Sequence, residues 1–192
     1  MKHFKIFAIA LTALFAASCS DDDATTAVPV NEEEVITTVT ATFVPQGGGD
    51  TVTLTYRDLD GDGPNLPVPT ISGPFISGKT YAGSVTFLNE LVNPAENITE
   101  EIEEEGDEHQ IFFVQTGGNL GTFTYTDTDV NGKPVGLNVN FNTSNTAATG
   151  QLRIVLVHEP NKNAEGVAQG IITNAGGATD AEAVFNIQVV QP

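Results

Sequence analysis

The feature that most restricts this chain is that it repeats itself. Thr53-Leu54-Thr55-Tyr56-Arg57-Asp58-Leu59-Asp60-Gly61-Asp62-Gly63 matches Thr122-Phe123-Thr124-Tyr125-Thr126-Asp127-Thr128-Asp129-Val130-Asn131-Gly132 at an offset of 69 residues. The same offset, without a gap, pairs residues 85–90 with 154–159 and residues 95–98 with 164–167. Phe43-Val44-Pro45-Gln46-Gly47-Gly48 resembles Phe113-Val114-Gln115-Thr116-Gly117-Gly118 at an offset of 70, and residues 183–189 look like a further copy of that strand. A long fixed period implies one supersecondary unit used twice, with neighbouring copies burying a shared core.

The unit reads as β-structure. Leu137/Val139/Phe141, Leu152/Ile154/Leu156 and Phe185/Ile187/Val189 alternate with polar residues, the period of a half-buried strand. Thr, Val and Phe fill the runs, while Gly, Asn and Asp fill the breaks. Eight or nine short strands of this kind predict an all-β antiparallel sandwich over residues 35–192. Its two pseudo-repeats span about 35–108 and 109–181, and a closing strand spans 182–190. One short acidic helix is expected in the long loop. Asn93 supplies an N-cap, Pro94 the first helical position and Glu96 a capping acid, with Gly106 as the stop. Ala95, Ile98 and Ile102 would form its buried stripe.

Residues 1–18 have the layout of a secretory signal: Lys2 and Lys5, then an apolar run from Ile6 to Phe15, then small residues. The run is too short to span a bilayer. Phe15-Ala16-Ala17-Ser18-Cys19 resembles the lipobox of bacterial lipoproteins, and Cys19 is the only Cys in the chain. Lipid on Cys19 would anchor the protein to a membrane and leave the domain without a thiol, which excludes disulfides, thiolate metal sites and Cys nucleophiles. Residues 19–34 read as an acidic flexible tether. Ser20-Asp21-Asp22-Asp23 resembles a surface-export signal of Bacteroidetes lipoproteins. The expected location is the outer membrane with the domain at the cell surface; the alternative faces the periplasm. From Cys19 to Pro192 there are 174 residues, carrying five of the seven basic side chains against 25 acidic ones. A net charge near −20 repels nucleic acid and attracts cations.

Two groups of residues could hold such cations. Asp58-x-Asp60-x-Asp62-Gly63 and Asp127-x-Asp129-x-Asn131-Gly132 have oxygen ligands at alternate positions and Gly at the sixth, the spacing that wraps Ca2+ in an EF-hand. Position twelve departs from that pattern, being Pro69 in one loop and Asn138 in the other. The competing reading is a pair of Asp-Gly and Asn-Gly turns. The second group is Glu105, Glu108, His109, His158 and Glu159, with both histidines of the mature chain at strand–loop junctions. If those loops share one end of the sandwich, the group would form a Zn2+ site; otherwise it is a solvated acidic loop. There is no G-x-S-x-G, P-loop or H-E-x-x-H motif and no Trp, which speaks against an enzyme.

Residues 98–110 and His158-Glu159-Pro160-Asn161-Lys162 resemble a family of Bacteroidetes lipoproteins, as do residues 58–63 and 172–177. Such proteins are often labelled "type 1 periplasmic binding fold superfamily protein". That label implies two α/β lobes, whereas the strand pattern here implies a β-sandwich. Together these features predict a non-enzymatic lipoprotein that binds a divalent cation and partners an outer-membrane transporter. The alternatives are a structural or adhesive surface module and, third, an acid–base hydrolase.

Overall fold

The computed structural model describes residues 34–61 and 63–192. The signal, Cys19, the tether up to residue 33, and Asp62 lie outside the described residues. In chain order the elements are β1 (Thr38–Pro45), β2 (Val52–Arg57), β3 (Val68–Ile71), β4 (Phe75–Ile76), β5 (Thr80–Asn89), β6 (Glu96–Asn97), α1 (Ile98–Glu104), β7 (His109–Gly117), β8 (Gly121–Tyr125), β9 (Asn138–Thr143), β10 (Ala148–His158) and β11 (Ala178–Val190). One sheet has the order β3-β2-β1-β5-β9-β8, with β6 added to β5; the other has the order β4-β11-β10-β7. The two pack into an antiparallel β-sandwich, not the pair of α/β lobes that the family label implies. One pairing departs from antiparallel: β4 runs parallel to β11 through Phe75 and Val189.

Alternation builds the core. Val39, Ala41 and Phe43 of β1, Val85 and Phe87 of β5, and Val139 and Phe141 of β9 face Leu152, Ile154 and Leu156 of β10 and Phe185, Ile187 and Val189 of β11. Phe75 sits edge-on to Phe43, Tyr81 and Phe141, with ring centroids 5.1 to 5.3 Å apart, a favoured aromatic geometry. The smaller sheet is covered on its outer face as well. Phe112, Val155 and Val157 pack there against Val167 and Ala175 of the long segment between β10 and β11. This explains the unbroken apolar runs at residues 111–114 and 154–157, since a strand buried on both faces loses its alternation.

The segments matched in sequence take different places. β2 and β8 lie in one sheet, whereas β1 and β5 lie in the larger sheet and their counterparts β7 and β10 in the smaller. In both halves the matched strands pair antiparallel, as β1 with β5 and β7 with β10. β11 begins at Ala178, earlier than the predicted closing strand at 182.

The helix starts later than predicted. Glu96 and Asn97 pair with Asn89 and Leu88 instead, so the ladder takes residues that the capping pattern assigned to a first turn. Asn97 stands at the N-cap and its side chain meets Glu100 at 2.9 Å. Ile98 and Ile102 are buried as expected, but Ala95 is exposed.

Candidate metal centre

β7 and β10 meet so that His109 lies directly opposite His158 at the end of the smaller sheet. The rings stack with centroids 4.8 Å apart and planes 14° from parallel. Both side chains are withdrawn from solvent, at 2% and 10% exposure. β11 brings the third group. Its pairing with β10 slips at one point: Leu156 opposes Ala181, and Val157 opposes Thr179. Asp180 is thus the extra residue of a β-bulge, a feature that re-aims a side chain. The bulge turns Asp180 toward the histidines, with its Oδ2 3.9 Å from His109 Nε2. Just before β11, Gly177 has φ +73°, and a Cβ there would fall 2.1 Å from the His158 carbonyl oxygen. Only glycine lets the strand approach so closely.

Glu34 meets the same His109 from the segment preceding β1. Its Oε1 is 3.6 Å from His109 Nε2. On the far side of that ring, Nδ1 is 3.1 Å from the Glu105 carbonyl oxygen. A carbonyl only accepts, so Nδ1 donates to it, and Nε2 is the ring atom that faces Glu34 and Asp180. A backbone carbonyl holding one imidazole nitrogen while the other faces carboxylates is the usual second-sphere arrangement of a metal-binding histidine. His109, His158 and Asp180 each offer a ligand atom, all within 4.8 Å of one another, and Glu34, Glu105 and His109 do the same. Ligands about 2.0–2.1 Å from a tetrahedral ion stand about 3.4 Å apart, close to the separations observed. Burial pushes the Glu34 carboxyl up to about 7, with Glu101, Asp180 and Glu105 adding to it and His158 opposing. The centre is electronegative without a cation.

Of the residues expected here from sequence, His109 and His158 come together. Glu105 contributes its carbonyl and also falls within ligand range of His109 and Glu34. Glu108 lies on the rim, 3.7 Å from His158 Nε2 and 55% exposed. Glu159 turns away: it is exposed, sits at φ +50°, and its N–H donates to the Glu108 carbonyl. Sequence reasoning missed Asp180 and Glu34. A bulge leaves no periodic signal, and Glu34 ends an acidic run that reads as tether, whereas its side chain is only 11% exposed.

The two acidic loops have different geometry. Asp58 accepts from the N–H groups of Asp60 and Gly61, and Asp60 from the backbone and side chain of Asn65. Asp127 accepts from Gly136 N–H on one oxygen and Asn138 N–H on the other. Asp129 accepts from Asn131 and Lys133 N–H and from Lys162 Nζ at 2.9 Å. Burial raises the Asp129 carboxyl, but the Lys162 hydrogen bond and the two N–H donors outweigh it and hold it below its usual value. An ammonium therefore stands against the Asp129 carboxylate, and Lys162 closes the second loop. Asn131, whose N–H Asp129 holds, is exposed.

Comparison with protein-family models, with curated proteins and with solved structures gives no match.

Proposed function

We propose that this protein is a lipid-anchored, non-enzymatic divalent-cation-binding lipoprotein of the outer membrane, with Zn2+ as its cation. The observation that carries the reading is His109 Nε2, set by the Glu105 carbonyl on Nδ1 to face the carboxylates of Asp180 and Glu34. Carboxylates facing one another in a buried site repel, and a cation between them removes the conflict. Two nitrogens and carboxylate oxygens form a Zn2+ donor set; Ca2+ prefers six to eight oxygens. Lys162, seated on Asp129 of the second acidic loop, also weighs against Ca2+. Lipid on Cys19, display at the cell surface and delivery of the ion to an outer-membrane transporter belong to the same reading, on the lipobox-like Phe15–Cys19 segment and the acidic residues after it.

Calorimetric titration tests the ligand. Zn2+ is expected to bind once per chain, Ca2+ to give no heat of specific binding, and His109→Ala to lose the Zn2+ signal. Silence with Zn2+, or binding unaffected by His109→Ala, contradicts the reading. Labelling with a radioactive fatty acid tests the anchor, with label expected on the native chain and lost in Cys19→Ala.

A further inference from the structure

Glu34 stands just before β1, and the two residues between it and Thr37 differ in burial. Val35 is 51% exposed, and Ile36 is partly buried against the core. Firm attachment resumes at Thr37, whose N–H donates to the Leu88 carbonyl at 2.9 Å. Despite that setting Glu34 points inward. Its Oε1 faces His109, and its Oε2 is buried with no hydrogen bond. A buried carboxylate oxygen without a donor is costly, and more so beside other carboxylates. The basic groups set against it are the imidazoles of His109 and His158.

Counting charge gives the same direction. In the forms that ligate a metal, two neutral imidazoles and two carboxylates, the four groups sum to −2, which one divalent cation cancels. Three ligands leave a zinc coordination position open, and a fourth protein ligand closes it. We propose that Glu34 is the fourth ligand, so that the ion fastens the N-terminal edge of the domain to β7, β10 and β11. This deepens the cation-binding reading and rests on it. Because the residues before Glu34 lead to Cys19, the ion acts as a clasp at the point where the tether leaves the domain. Linkage makes the effect reciprocal. Bound metal holds Glu34 down, and whatever draws Glu34 away, such as tension on the tether or a partner seizing it, opens the fourth position and weakens the grip on the ion.

The test combines Zn2+ titration with hydrogen exchange at the Val35 and Ile36 amides, in the native protein and in Glu34→Gln. In the native protein Zn2+ is expected to slow exchange at these amides by about tenfold or more. Glu34→Gln is expected to bind Zn2+ at least about tenfold more weakly and to lose the slowing. Glu34→Asp, which keeps the charge on a shorter arm, is expected to fall between them. Circular dichroism of each variant confirms that the sandwich is intact. If native protein binds Zn2+ and Glu34→Gln matches it in affinity and in exchange, the clasp is overturned and the histidine site stands. If the native protein does not bind Zn2+ at all, the cation-binding reading falls and the clasp with it.

Discussion

Asp129 and Asp60 occupy the same place in the repeated motif, yet their surroundings separate them. Asp129 is 1% exposed and pairs with Lys162, itself 5% exposed, which also donates to the Gly106 carbonyl. Removing one partner of a buried ion pair strands the other, at a cost of about 3–5 kcal/mol. Lys162→Met is expected to lower unfolding free energy by that amount in urea titrations, and a change below about 1 kcal/mol would contradict the buried pairing. Glu90, half-buried, pairs nearer the surface. Hydrogen bonds from Arg57 and then Thr38 hold its carboxyl down to about 2 from 4.5. Its folded value lies below the unfolded one, so its contribution is present above pH 4.5 and is lost as pH falls toward 2. Glu90→Gln is expected to flatten the stability curve across that window, and an unchanged acid limb would contradict it. At this scale the sequence was ambiguous for a physical reason. An aspartate accepting turn N–H groups and an aspartate binding Ca2+ need the same residue at the same spacing, and only the position of Lys162, 33 residues away, decides between them.

Strands were legible wherever one face alone is buried. Leu137/Val139/Phe141 and Phe185/Ile187/Val189 lie inward as their period-two pattern requires. Elements that break the period were not legible. β4 has only two residues, and β6 forms because β5 offers a free edge to Glu96 and Asn97. The bulge at Asp180 appears only once β10 and β11 are set side by side. Yet these irregular elements position the most. Phe75 is fully buried at the centre of the aromatic cluster, and Phe75→Ala is expected to cost about 3–5 kcal/mol through the cavity it leaves, measured by denaturant unfolding. Gly177 holds the start of β11 against the His158 carbonyl. Gly177→Ala is expected to weaken Zn2+ binding as well as to lower the melting temperature. Unaltered affinity would show that the strand approach does not position Asp180.

The molecule as a whole joins an all-β frame to a strongly acidic charge of −18. The frame was legible because strand period and turn residues recur throughout the chain. The candidate metal centre was half legible: both histidines could be named, but their juxtaposition depends on β7–β10 register, and the two carboxylates that face His109 Nε2 come from opposite ends of the domain. A ligand that binds only the folded state stabilises it by about 2.7 kcal/mol at a hundredfold excess over Kd, and about 2–4 °C accompanies each kcal/mol in a domain of this size. Zn2+ is therefore expected to raise the melting temperature by roughly 5–11 °C, and Ca2+ to leave it unchanged. The most direct test is anomalous diffraction at the zinc edge from crystals grown with one equivalent of Zn2+. The account predicts a single peak about 2.0–2.2 Å from His109 Nε2 and from an oxygen of Asp180. A map with no peak between the two histidines, or with zinc only in the loop at Asp58–Asp60, would contradict it.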